Sequence, residues 1–209
     1  MSFLRKHWYD IGFMIAVFIV GYALFMHADY YSFSFLMWMN FVTLLIHQFE
    51  EYRFPGYFPG MVNVVMYNSE QPDRFPLNTQ TALAVNVFMG WVVYLLAALL
   101  NVKAVWLGIA SVLVSVGNVI AHTLVFNIKG KTIYNPGLFT SLFLFLPLII
   151  YFFIYLTNFH LASVTDYIIG GIAGILLNVI GILKLIDWMK DPSTNHFFEE
   201  RQVAPQLNK

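Results

Sequence analysis

Three residues at the end of one apolar run have the chemistry to bind a cation: His47, Glu50 and Glu51. On a helix, 100° per residue places Glu51 about 40° from His47 and Glu50 about 60° away on its other flank, so all three can face one point. An imidazole nitrogen with two carboxylates is a donor set for a divalent ion such as zinc or iron. One carboxylate would then remain free to act as a base. Asn40 lies one heptad earlier on the same face. A second polar line runs through a later apolar segment, where Ser111, Ser115, Asn118 and His122 follow at intervals of four, three and four. Lipid would penalise that line, so it turns toward other helices. The two serines read as packing devices, and Asn118 and His122 as site residues.

The elements that must position these groups are membrane helices. The chain has 209 residues, of which 59% are hydrophobic and 11% charged, with a mean hydropathy of +0.70. A soluble domain carries about 25% charged residues, so lipid is the solvent this composition suits. Equal numbers of basic and acidic residues give no net charge and no case for nucleic acid as a partner. The absence of cysteine excludes thiolate metal sites and a cysteine nucleophile.

Six apolar runs, at about 10–26, 33–49, 79–100, 104–128, 137–156 and 167–189, are each long enough to cross a bilayer. The expected fold is therefore all-α, a polytopic bundle of six transmembrane helices forming one integral membrane domain over 1–209. Arg5, Lys6, Arg53, Arg74, Lys129, Lys131, Lys184, Lys190, Arg201 and Lys209 sort to one side of that arrangement. Only Lys103 falls on the other. The positive-inside rule then puts both termini in the cytoplasm of a cell-membrane protein. Residues 52–78, with Phe54-Pro55-Gly56 and Phe58-Pro59-Gly60, read as an interfacial or re-entrant loop, since prolines at that density forbid a long helix. The polar tail 191–209 reads as mobile. His7, His27, His160 and His196 read as solvated, and Gly170, Gly171, Gly174 and Gly181 as helix-packing positions.

Spans two and four run in the same direction, which brings His47, Glu50, Glu51, Asn118 and His122 to one depth on the inner side. Asn86 and Asn178 fall at the same level as contacts for a substrate or for the ligands. The chain resembles the uncharacterised bacterial membrane proteins named for a His-x-x-Glu-Glu motif. The resemblance rests on His47, Glu50 and Glu51 with the Tyr52 and proline-aromatic loop that follow, on Asn118 and His122, and on Tyr134, Asn135, Pro136 and Gly137. It implies no activity, but it adds Asn135 to the candidate residues. A likeness to intramembrane glutamic proteases of the CAAX-processing type is one of parts: Arg53 follows Glu51 too closely, and the Asn118–His122 order is reversed.

The expected function is a membrane-embedded, metal-dependent enzyme, a hydrolase acting on a lipid-derived or membrane-partitioned substrate. Zinc or iron would sit on His47, His122 and Glu50 or Glu51, the other glutamate would be the base, and Asn118 would orient a ligand. Four alternatives use the same residues differently. These are an iron-dependent oxidoreductase, a proton-coupled transporter, a metal-free glutamate protease and a structural membrane subunit that would tolerate change at His47; membrane lipid is an expected partner in every case.

Overall fold

A computed structural model describes residues 2–26 and 28–207; His27 and Lys209, both read above, lie outside the described residues. The described chain is helical throughout, without a strand. Its elements are α1 (Ser2–Phe25), α2 (Phe33–Tyr52), α3 (58–66), α4 (79–100), α5 (105–130), α6 (Leu138–Asn158) and α7 (Val164–Met189), followed by a single turn, Glu200–Gln202, and a last short helix, α8 (Ala204–Leu207). Each of the six apolar runs is one long helix. Helix α1 begins eight residues before its run, because Trp8 and Tyr9 are buried and extend the packed face toward the N-terminus.

Four helical stretches are long and apolar enough to cross a membrane: Ser2–Phe25, Thr79–Gly130, Leu138–Asn158 and Val164–Met189. The 52-residue stretch is two antiparallel helices. The Tyr94 hydroxyl lies 2.8 Å from Ser115 Oγ, whereas a straight helix would hold them roughly 30 Å apart. The reversal occurs at 101–104, where Asn101 takes a φ of 53°. Helix α2 is less apolar because it is interior. Met37, Leu45 and His47 are almost fully enclosed, and polar groups survive there by finding partners.

Local chemistry marks the helix starts. Ser32 caps α2 through the amide of Phe35, Asn78 caps α4 through those of Gln80 and Thr81, and Ser163 with Asp166 forms a capping box on α7. Helices α5 and α7 approach closely over Gly170 and Gly174. A methyl group at Gly170 would lie 2.6 Å from the Trp106 carbonyl, and one at Gly174 would lie 2.6 Å from Leu113 Cβ. This is the small-residue spacing that lets membrane helices touch backbone to backbone. Gly171 belongs to no such contact. Large apolar side chains such as Phe18, Ile150, Ile168, Ile172 and Ile175 cover the outside, a surface suited to hydrocarbon and not to water.

Two regions that sequence composition gave no helix or anchor are ordered at one end of the bundle. Within 52–78 a nine-residue helix, α3, fits between prolines, with Pro59 in its first turn where no amide is needed. The tail, whose polarity suggests mobility, is docked instead. Thr79 N donates to the His196 carbonyl and Phe198 N to that of Asp73, while Gln202 Nε2 donates to the Tyr52 carbonyl at 2.9 Å. Phe198 and Val203 join Trp8, Tyr9, Tyr52 and Met61 in a buried cluster. The tail is held because its few apolar residues enter an aromatic pocket, while its polar ones cap backbone groups at the end of α2.

Candidate metal centre

Helix α2 carries His47 and Glu51 one turn apart, and α5 carries His122. Asn40 donates to Ser111 Oγ at 3.0 Å, and Glu51 Oε1 lies 3.3 Å from His122 Nε2. Both pairs are 71 residues apart in the chain, so α2 and α5 run parallel without slipping. His47 Nε2 lies 3.6 Å from the same Oε1. The histidines are 1% exposed and Glu51 is 5% exposed, and one ligand atom from each of the three lies within 4.8 Å of the others. A tetrahedral ion with bonds of ~2.1 Å needs donors ~3.4 Å apart. The two distances to Glu51 Oε1 are close to that spacing, and the group could hold a metal ion. Among the described residues the group offers three protein donors, which leave one position of a tetrahedron free, as catalytic sites do and structural ones do not.

The hydrogen bonds behind the histidines fix which nitrogens face the centre. Asn135 Nδ2 donates to the His122 carbonyl and to Asn127 Oδ1, both at 2.8 Å. Its Oδ1 is therefore an acceptor, and His122 Nδ1–H donates to it at 2.6 Å. Thr140 Oγ1 donates to Glu50 Oε2 at 2.6 Å, so its lone pair takes the proton of His47 Nδ1 at 2.7 Å. Both rings thus carry hydrogen on Nδ1, which leaves Nε2 as the nitrogen turned to Glu51 and the one a metal would take. His47 Nε2 is buried without a hydrogen-bond partner among the described residues. A buried orphan acceptor is costly, and an ion between the three donors would satisfy it. Gly137 has a φ of 101°, and its missing side chain leaves room for the His122 ring, which a Cβ would overlap.

Glu50 stands apart from the other three. Its carboxylate turns to the start of α6 and accepts from Phe139 N at 3.2 Å, Thr140 N at 2.8 Å, Thr140 Oγ1 at 2.6 Å and the Tyr134 hydroxyl at 2.9 Å. Glu50 as ligand or free base is thereby corrected: neighbouring residues on a helix point about 100° apart, and the amides at a helix N-terminus hold an anion. Burial, with the nearby Glu50 charge, pushes the Tyr134 phenol up from its ordinary value, so it stays a donor. Through Thr140, Glu50 orients His47.

The centre opens on a cavity of about 450 Å³ between α2, α3, α4, α5 and α7. Asn118, Asn86 and Asn178 all line it. Asn86 accepts from Gln48 at 3.1 Å, and Asn178 donates to the Leu113 carbonyl at 3.1 Å. Asn40 does not reach it, since its amide serves the α2–α5 contact with Ser111. Ser111 and Ser115 are packing residues, as expected, bonded to Asn40 and Tyr94. Segments 84–91, 121–125 and 177–184, which bear Asn86, His122 and Asn178, are wound as π-helix, as is 61–66, and all four contribute to the cavity wall; 141–145 is wound the same way but lies away from it. Such turns recur at functional sites.

Thr140, Asn127, Gln48 and Tyr52 are the residues that sequence reasoning left without a role. Thr140 lies three residues past Gly137, so the Tyr134–Gly137 motif marked its neighbourhood. Nothing in the spacing pointed to Gln48, which is one residue from His47 and faces Trp91. A family model described as "Protein of unknown function with HXXEE motif" matches residues 38–152, a range that contains every residue of the centre. No curated protein and no solved structure matches the chain.

Proposed function

Starting from the fact that this chain belongs to the family of proteins of unknown function with an HXXEE motif, we propose that it is a metal-dependent membrane hydrolase. The substrate is a lipid-derived or membrane-partitioned molecule. In this reading all six long helices cross the bilayer, both termini are cytoplasmic, and the centre lies on the inner side, where ten of the eleven basic residues sort.

One observation carries the reading: three buried donors at the spacing of a coordination sphere, with their fourth side on a largely apolar cavity. His47, Glu51 and His122 would hold the ion, zinc before iron. The ion, when bound, would supply Lewis-acid polarisation of a carbonyl and would make water acidic near neutral pH. Glu51 keeps a second carboxylate oxygen that can take a proton. Thr140 and Asn135 keep the imidazoles in the ligating tautomer, and Asn118 offers an amide to the substrate. A transporter would need polar groups through the whole bundle, whereas the half beyond Asn40 is filled by Leu36, Met37, Val105, Ile109 and Phe152.

Metal analysis of the detergent-purified protein tests the proposal. About one zinc or iron per chain is expected in the natural sequence, and none in His47→Ala, Glu51→Gln or His122→Ala. Iron in place of zinc would move the reading to oxidation. A chain without stoichiometric metal, whose melting does not respond to a chelator, overturns it.

A further inference from the structure

Three polar side chains on the cavity wall, Gln48, Asn86 and Tyr52, form a directed relay that starts at Trp91 behind them. The indole of Trp91, which can only donate, gives its hydrogen to Gln48 Oε1 at 2.7 Å. Gln48 Nε2 must then be the donor to Asn86 Oδ1 at 3.1 Å. Asn86 Nδ2 donates to the Ala82 carbonyl at 2.9 Å and to the Tyr52 hydroxyl at 3.3 Å. Tyr52 ends the relay as an acceptor, and its single hydroxyl hydrogen finds no acceptor among the described residues. The ring is 2% exposed, and Tyr52 shares the cavity with its neighbour Glu51. A buried donor without a partner is expensive unless a ligand completes it.

The rest of the cavity says what that ligand is. No lysine or arginine lines it, so nothing balances a phosphate. A divalent ion with neutral histidines and one carboxylate has one positive charge to spare, which suits a carboxylate or the carbonyl of an ester or amide. From the level of His122 the cavity runs to that of Val114, eight residues or roughly 12 Å along α5. That arm is lined by Leu44, Val93, Val114, Leu177, Gly181 and Ile182. Ile120 and Leu183 line it too and are exposed on the outside of the bundle, so the mouth faces lateral entry.

We infer that the cavity binds a single-chain acyl lipid, its carboxyl or carboxyl-derived head on the metal centre and on the Tyr52 hydroxyl, its chain in the arm between α4, α5 and α7. The head contact rests on the metal-dependent reading above, and the chain contact does not. Tyr52 is thus a residue that touches the substrate.

The fluorescent fatty acid cis-parinarate, excited by energy transfer from Trp91 and the other tryptophans, tests this in detergent with zinc-loaded and chelator-treated full-length protein. Saturable one-to-one binding is expected in both states, displaced by palmitate and not by hexadecylphosphocholine. Tyr52→Phe should weaken binding about tenfold, the loss of one buried hydrogen bond, and Gly181→Leu should abolish it by filling the arm while zinc content stays constant. Absence of saturable binding in both states, equal displacement by the phosphocholine, or natural affinity in both variants overturns the acyl site. Parinarate bound to a protein that takes up no zinc even when zinc is supplied upholds the acyl site and overturns the enzyme reading instead.

Discussion

Glu50 and Glu51 are neighbours with opposite surroundings, and substitution separates them. Glu51→Gln removes the anionic donor and should abolish metal binding. Glu50→Gln should keep the metal stoichiometric but cost about 1–3 kcal/mol, because an amide cannot accept from all four donors that converge there; calorimetry in detergent checks the second effect and metal analysis the first. Thr140→Val tests the link between them. It removes the acceptor of His47 Nδ1, frees the ring to change tautomer, and should weaken metal affinity about 10–100-fold in a chelator competition. A helix wheel shows that three groups can face one point, but both glutamates fit it equally well. Only the position of α6, set by Gly137 and the loop before it, decides which one is taken away.

The helices themselves were legible, since apolar run length fixes them: five of the six begin within three residues of the run read from sequence. The ordered ends were not. Helix α3 is short enough to pass between prolines, and the described part of the tail carries Phe198 and Val203 as its buried apolar anchors in a polar stretch that composition reads as loose. Phe198→Ala should therefore cost about 3 kcal/mol and raise protease cleavage after Met189, a cost a mobile tail would not show. At the α5–α7 contact the pattern was readable, and Gly174→Leu should destabilise by about 1–3 kcal/mol through overpacking against Leu113. The corresponding change at Gly171, which faces open space, should be nearly silent; thermal melting of the pair separates the two.

For the whole molecule, orientation and metal are the quantities to measure. Reporters fused at either terminus should give cytoplasmic signals, and one inserted beside Lys103 a signal from the opposite side. An ion that binds only the folded chain stabilises it by about 4 kcal/mol at a thousandfold excess over its dissociation constant. Chelator treatment should accordingly lower the melting temperature of the natural sequence and leave that of His122→Ala unchanged.

The five π-wound segments have a bearing on ancestry. A helix that gains one residue and takes it up as a wide turn keeps the facing of both its ends, and removing that residue restores an ordinary α-helix in which only the residues of the turn itself change direction. Descent within the family should be written there as single-residue gaps. A lineage that has lost one within 121–125 will have turned His122, which lies inside that segment, away from Glu51, and His122 should have become dispensable in it. Gaps of one residue in 84–91, 121–125 or 177–184, set against the presence or absence of His122, would date the assembly of the centre.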